Sequence, residues 1–166
     1  MSILNILKSA KSVYLDTAPI IYQIEENDNF LQSTNLIFDM IEQKELLAVT
    51  SLVNKHELYI KPFREKDVEK KILYDEMFVS CSDKYVSELS EEIFVEASKL
   101  RAINKSLKDF DSLHLAIAIQ ENCDVFLTND IKLKKLIELG NLKVIVLTDL
   151  EQELKTCYNQ KTEENG

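Results

Sequence analysis

Short runs of aliphatic and β-branched residues alternate with segments of helical hydrophobic spacing along nearly the whole chain, and this alternation leaves few possible folds. Strands separated by helices line up in parallel and need helices over both faces of their sheet. Five strand-like runs are legible, at 12–16, 46–50, 77–81, 124–128 and 143–147. Between them, a helix is expected from Ala18, with Asp16 or Thr17 as cap and Pro19 in its first turn. A second covers 31–43, where Leu36, Ile37, Met40 and Ile41 recur at helical spacing. Ser51 caps a third, which carries Glu57 and ends before Pro62, and another spans 65–75. Ser90 caps a helix with Ile93, Phe94, Ala97 and Leu100 on one face. Further helices cover 108–122 and 131–139, the latter stopped by Gly140. The expected fold is α/β: three layers, α/β/α, around a five-stranded, mainly parallel central sheet. One domain spans 1–158, and the polar stretch 159–166 is expected to be a disordered tail.

The 166 residues fit a single domain, and two Gly and two Pro leave little material for long loops. A net charge of −9 argues against a generally basic nucleic-acid binder. It does not exclude an enzyme that holds phosphate through metal ions and a few local lysines. The three cysteines (Cys81, Cys123, Cys157) show no CxxC spacing, and their odd number suits reduced thiols. Cys81 and Cys123 lie near expected strands and read as core. Neither a signal segment nor a run long enough to span a membrane is visible, so a cytoplasmic protein is expected.

Four acids fall where such a fold gathers side chains at one edge. Asp16 and Asp130 close strand-like runs, and ligands of open parallel sheets bind beyond the carboxyl ends of the strands. Asp111 lies in the first turn of the helix that leads into the fourth run, and Glu57 in the helix that leaves the second. Each alone also fits a structural role, as a helix cap or as a charge favoured by a helix dipole. Together they would repel. At an effective dielectric of about 20, two unit charges roughly 4 Å apart cost on the order of 4 kcal/mol. Mg²⁺ or Mn²⁺ is the usual neutraliser of an all-oxygen site, which points to metal-assisted phosphate chemistry.

The surroundings of these acids resemble a known family. Val13-Tyr14-Leu15-Asp16-Thr17-Ala18-Pro19 is similar to the opening of a PIN-domain nuclease. Ser51-Leu52-Val53-Asn54-Lys55-His56-Glu57-Leu58 resembles the segment of its second acid. Asp111-Ser112-Leu113-His114-Leu115-Ala116 resembles its central motif, and Phe126-Leu127-Thr128-Asn129-Asp130 its threonine–any–aspartate strand end. Order and spacing match from about residue 12 to 147. The subfamily most resembled is the small VapC-like toxins of type II toxin–antitoxin pairs.

The resemblance implies a PIN-like fold and a metal-dependent endoribonuclease that hydrolyses RNA phosphodiester bonds. It would use one or two Mg²⁺ or Mn²⁺ ions and leave 5′-phosphate and 3′-hydroxyl ends. By position, Asp16, Glu57, Asp111 and Asp130 inherit the catalytic and metal-binding roles, with Thr17, Thr128 and Asn129 in support. Such a protein pairs with an antitoxin and forms a homodimer, for which the apolar helices 31–43 and 52–60 offer surfaces. Lys132, Lys134 and Lys135, directly after Asp130, are the nearest candidates for phosphate contacts. The denser patch of Lys61, Arg64, Lys66, Lys70 and Lys71 reads either as a phosphate rail or as a solvated helix face. Asp109, two residues before Asp111, diverges from it by about 200° on a helix. It is expected to cap, with the metal shell as its second possibility. His114 faces the site rim or is a satisfied, partly buried histidine, and neither it nor His56 belongs to a zinc motif.

Two other classes remain. A catalytically silent PIN-like module binding RNA or protein would keep the fold, but the intact carboxylates count against it. A phosphoaspartate enzyme of the dehalogenase type wants a second acid two residues after the first, and that position is Ala18.

Overall fold

In the computed structural model, which describes residues 2–79, 81–136 and 139–164 (side chains as far as 160), the expected three layers form around one sheet. In chain order the elements are α1 (Ile3–Ser9), β1 (Ser12–Leu15), α2 (Thr17–Ile24), α3 (Leu31–Glu42), β2 (Leu47–Ser51), α4 (Leu52–Glu65) and α5 (Val68–Asp75). Then follow β3 (Lys84–Ser87), α6 (Glu91–Ile103), α7 (Asp109–Gln120), β4 (Val125–Thr128), β5 (Lys143–Val146) and α8 (Leu147–Glu164). All strand pairs are parallel, in the order β3-β2-β1-β4-β5.

The central strands are buried on both faces, which is why they read as continuous apolar runs. Val13 and Leu15 of β1 point with Ala48, Val125, Leu127 and Ile145 into a core closed by α2, α3, α8 and Leu58 of α4. Tyr14 points to the opposite face with Val49 and Phe126, under α6 and α7. In α7, Leu115, Ala116, Ile117 and Ala118 are all fully buried. After its first turn this helix has no solvated side in that stretch.

Several boundaries differ from the sequence reading. Among the described residues of the run 77–81 there is no strand, and residue 80 lies outside those described. Met77 anchors a 3₁₀ turn (Glu76–Phe78), and Lys84–Ser87 supplies β3 instead. An edge strand pairs on one side and stays partly solvated, so its residues need not be apolar. Cys81 is consequently exposed rather than in the core, whereas Cys123 is buried and its thiol is pushed up to about 12 by burial. Helix α4 continues through Pro62 to Glu65 and stops at Lys66, which takes a left-handed conformation at φ 56°. On α6, Ile93, Ala97 and Leu100 are buried but Phe94 is exposed.

Among its described residues, the segment 131–139 holds only a 3₁₀ turn (Leu133–Lys135). Leu133 alone is buried there, between exposed lysines, and residues 137 and 138 lie outside those described. Gly140 sits at φ +61°, in the turn before β5.

Two helices not anticipated from the sequence, α1 and α8, interlock. Glu153 of α8 accepts hydrogen bonds from the amides of Ile3 and Leu4, both at 3.0 Å, at the start of α1. The buried Glu151 accepts from the Ser33 amide at 2.8 Å, at the start of α3, whose own cap residue Phe30 has no side-chain acceptor. Residues 165 and 166 of the expected tail 159–166 lie outside those described, and α8 occupies the stretch before them.

Because β4 is central and dry, truncating Leu127, which is 0% exposed, should be expensive. Leu127→Ala should lower the urea-unfolding free energy by about 2–5 kcal/mol. Ile131→Ala, at 59% exposed, should change it by less than about 0.5 kcal/mol.

Candidate metal centre at the carboxyl edge of the sheet

From β1 the chain builds the sheet in one direction through β2 and β3, and β4 then returns to β1's other side. The order thus reverses between β1 and β4, and a crevice opens there beyond the strand ends. Asp16 stands at that point. Its amide donates to Leu127 O at 2.9 Å, extending the β1–β4 pairing by one bond. Its Oδ1 accepts from the Thr17 amide at 2.7 Å and its Oδ2 from the Thr128 hydroxyl at 2.6 Å. Asp16 is therefore both the cap of α2 and a member of the cluster.

Glu57 arrives from β2. Ser51 ends that strand and caps α4 in a reciprocal box with Asn54, which fixes where the helix starts. Glu57 is almost one turn beyond Asn54. Its Oε2 accepts from the Thr17 hydroxyl at 2.5 Å and meets His114 Nε2 at 2.8 Å. Burial pushes the Glu57 pKa upward, but the bonds from His114 and Thr17 outweigh it and hold the carboxyl below its ordinary value.

Behind these acids lies a buried polar network. His114 Nδ1 is 2.7 Å from the Tyr14 hydroxyl, which also meets Ser51 Oγ at 2.8 Å and lies 3.1 Å from Asn54 Oδ1. Asn54 Nδ2 donates to Leu15 O at 3.0 Å and to Thr17 Oγ1 at 3.3 Å. Burial drives the Tyr14 phenol well above its ordinary pKa, so it keeps its proton. The sequence reading left His114 as a rim residue or a satisfied histidine. It is buried and bonded through both ring nitrogens, and one of those bonds goes to a site acid. Asn54 was not singled out at all. The available signal was spacing, since Asn54 and Glu57, like Asp111 and His114, are three apart and share a helix face.

Asp111 is the third residue of α7 and is partly buried. Burial, followed by the charges of Asp16 and Asp130, raises its pKa, with Lys108 and His114 opposing. Asp130 follows β4. Its amide donates to Thr128 Oγ1 at 3.0 Å, and its Oδ1 accepts from the Lys132 amide at 2.9 Å. Among the described residues, Asp16, Glu57 and His114 form the tight group, offering ligand atoms within 4.8 Å of one another. Asp111 and Asp130 are outside that group of three, although Asp111 feels the charge of both Asp16 and Asp130. The donor chemistry fits a hard divalent cation: the carboxylates supply oxygen, and Asp111 is held against the field of its neighbours, a conflict that a cation would relieve.

The remaining candidates divide. Asn129 bridges Tyr22 and Thr148, at 3.3 and 2.9 Å. Lys132 and Lys135 are exposed, whereas Lys134 is paired with Asp149 at 2.6 Å. Asp109 does not cap α7. Lys108 occupies the cap position, and Asp109 pairs with Arg101 on the outer side of α7. In the basic patch, Lys61 and Lys70 hold Glu25, and Lys71 holds Asp75, so much of its charge is already matched.

A family model described as the PIN domain matches residues 13–139, most of the chain. The chain belongs to the PIN-domain family. Solved structures share this PIN fold at low sequence identity. VapBC2 from Rickettsia felis, bound to a DNA fragment from its promoter, aligns with a TM-score of 0.61 at 21% identity, over 81% of this chain and 98% of that one. VapBC-1 from nontypeable Haemophilus influenzae gives 0.59 at 20%, over 82% and 98%. FitAcB from Neisseria gonorrhoeae gives 0.56 at 15%, over 81% and 97%. No curated protein sequence matches the chain significantly.

The raised Asp111 pKa has a definite sign. A carboxyl that binds its proton more tightly when folded loses stability as pH rises through the window above its unfolded value of about 3.9. At neutral pH the whole penalty is present. Asp111→Asn should therefore raise the melting midpoint of ion-free protein at pH 7. The same substitution should shrink the further rise produced by added Mn²⁺. Differential scanning calorimetry with and without the ion reads both effects.

Proposed function

We propose that this PIN domain is a Mg²⁺- or Mn²⁺-dependent endoribonuclease and the toxin of a toxin–antitoxin pair. The observation that carries the reading is the cluster at the crevice between β1 and β4, where Asp16, Glu57 and His114 offer ligand atoms within 4.8 Å of one another and Asp111 is raised in pKa by burial and by the charges of Asp16 and Asp130. Such repulsion is a cost to the folded state unless a cation offsets it. Asp16, Glu57, Asp111 and Asp130 would hold the ion or ions. When bound, a divalent cation supplies an activated water and stabilises the charge that develops on the leaving oxygen.

The protein's own groups then have separate tasks. Thr128 and the Thr17 amide fix the Asp16 carboxylate, and Thr17 and His114 fix that of Glu57. Asn129 ties the strand end to α2 and α8, and so steadies the loop that carries Asp130. Lys132 and Lys135, exposed beside that loop, are placed to meet substrate phosphates, while Lys134 would first have to leave Asp149. A charge of −9 makes these few cations important, because the bulk of the protein repels RNA.

The structural likeness to VapBC proteins supports an antitoxin partner, and a homodimer is part of the same proposal. On α4 and α5, Leu52, Ile60, Phe63, Val68 and Ile72 are exposed, and apolar surface of this kind supports protein contacts. No described helix is long and apolar enough to cross a membrane. A cytoplasmic location, where RNA is available, belongs to the proposal as well.

Purified protein incubated with a mixed RNA pool should release fragments with 5′-phosphate ends in Mg²⁺ or Mn²⁺ and none in chelator. Asp16→Asn and Asp111→Asn should each slow cleavage by about 100- to 1,000-fold, the range typical for loss of one preorganised electrostatic group. Full metal-dependent cleavage by Asp16→Asn would refute the assignment.

A further inference from the structure

We infer that His114, oriented by Tyr14, is a positioning residue that holds Glu57 in its ion-binding pose before any ion arrives. The inference rests on the metal-dependent reading above and adds to it how one of its acids is kept in place.

Glu57 Oε2 is taken by two donors, Thr17 Oγ1 at 2.5 Å and His114 Nε2 at 2.8 Å. A carboxylate can only accept, so Nε2 carries a proton. His114 is 1% exposed and Glu57 Oε1 has no hydrogen bond among the described residues. Glu57 thus turns one committed oxygen inward and keeps the other uncommitted. The Tyr14 hydroxyl occupies Nδ1 at 2.7 Å and so fixes the imidazole plane. Tyr14 is itself immobile: its ring is 0% exposed and stacks on Phe126 at 5.4 Å and 5°. Rigidity therefore passes from the packed sheet through Tyr14 and His114 to Glu57.

A different role for His114 is conceivable in the same place. Its Nε2 is 3.8 Å from Asp16 Oδ1, so it could itself enter a coordination shell. The hydrogen bond to Glu57 opposes this, because Nε2 would have to give up its proton and its partner together. The two roles differ in a measurable way: a ligating nitrogen couples magnetically to Mn²⁺, and a positioning one does not.

The test is calorimetric titration of ion-free protein with MnCl₂, with unfolding midpoints measured separately on the ion-free variants. His114→Ala should weaken Mn²⁺ binding roughly 10- to 100-fold, the usual effect of losing a partner that orients a ligand. His114→Gln, which keeps an N–H donor, should recover a large part of that loss. Tyr14→Phe keeps the stacked ring and removes only the hydroxyl. It should weaken binding by a smaller factor, and it keeps the inference testable should His114→Ala fail to fold. Lower midpoints with unchanged Mn²⁺ affinity in Tyr14→Phe and His114→Gln would overturn the positioning role. So would nitrogen hyperfine coupling in the Mn²⁺ resonance spectrum that disappears in His114→Gln. If the wild-type protein binds no divalent cation, the metal-dependent reading itself falls and this inference with it, an outcome distinct from the other two.

Discussion

The side-chain hydrogen bond from the Thr128 hydroxyl to Asp16 Oδ2 ties together the ends of two strands whose residues are 112 positions apart in the chain. It exists only because β1 and β4 pair in parallel with Leu15 opposite Leu127. A one-residue slip would turn every side chain of one strand to the other face. It would turn Asp16, or the already buried Thr128, into the apolar core position of Leu15 or Leu127. The apolar cores on the two sides of the sheet therefore set the register, and the register sets the acids. What happens at the carboxyl edge is decided several residues below it.

The fold was legible where burial is complete. Val13, Leu15, Val125 and Leu127 are dry and had to be apolar, so their strands stood out. The edge strand Lys84–Ser87 was missed because Lys84, Tyr85 and Val86 all keep some contact with solvent, which tolerates a lysine there as readily as a valine. Helix α8 was missed because its mostly polar residues hide an anchoring face formed by Leu147, Leu150 and Glu151. Charged residues do not signal burial in a sequence, and Glu151 is nevertheless 4% exposed.

At the candidate site, the sequence showed the acids and concealed what holds them. Asp16, Glu57 and Asp111 attract notice as carboxylates near element ends. Tyr14 reads as core, and its ring is core, but its hydroxyl organises Ser51, Asn54 and His114. Which polar groups meet beneath a surface depends on helix rotation and crossing angle, and neither quantity is written in local spacing. Asp109 shows the converse. It resembles a site acid in the sequence, yet rotation about α7 carries it to Arg101.

The carboxylate of Glu153 closes the first turn of a helix that begins 150 residues earlier, and Glu151 does the same for α3. A polypeptide grows from its amino end, so α1 and α3 exist as sequence long before α8 has been synthesised. The amides of Ile3, Leu4 and Ser33 lack these carboxylate partners until α8 emerges from the ribosome and docks. The molecule is in this sense clasped shut by α8, and a nascent chain interrupted before that helix would be left with both openings unsealed.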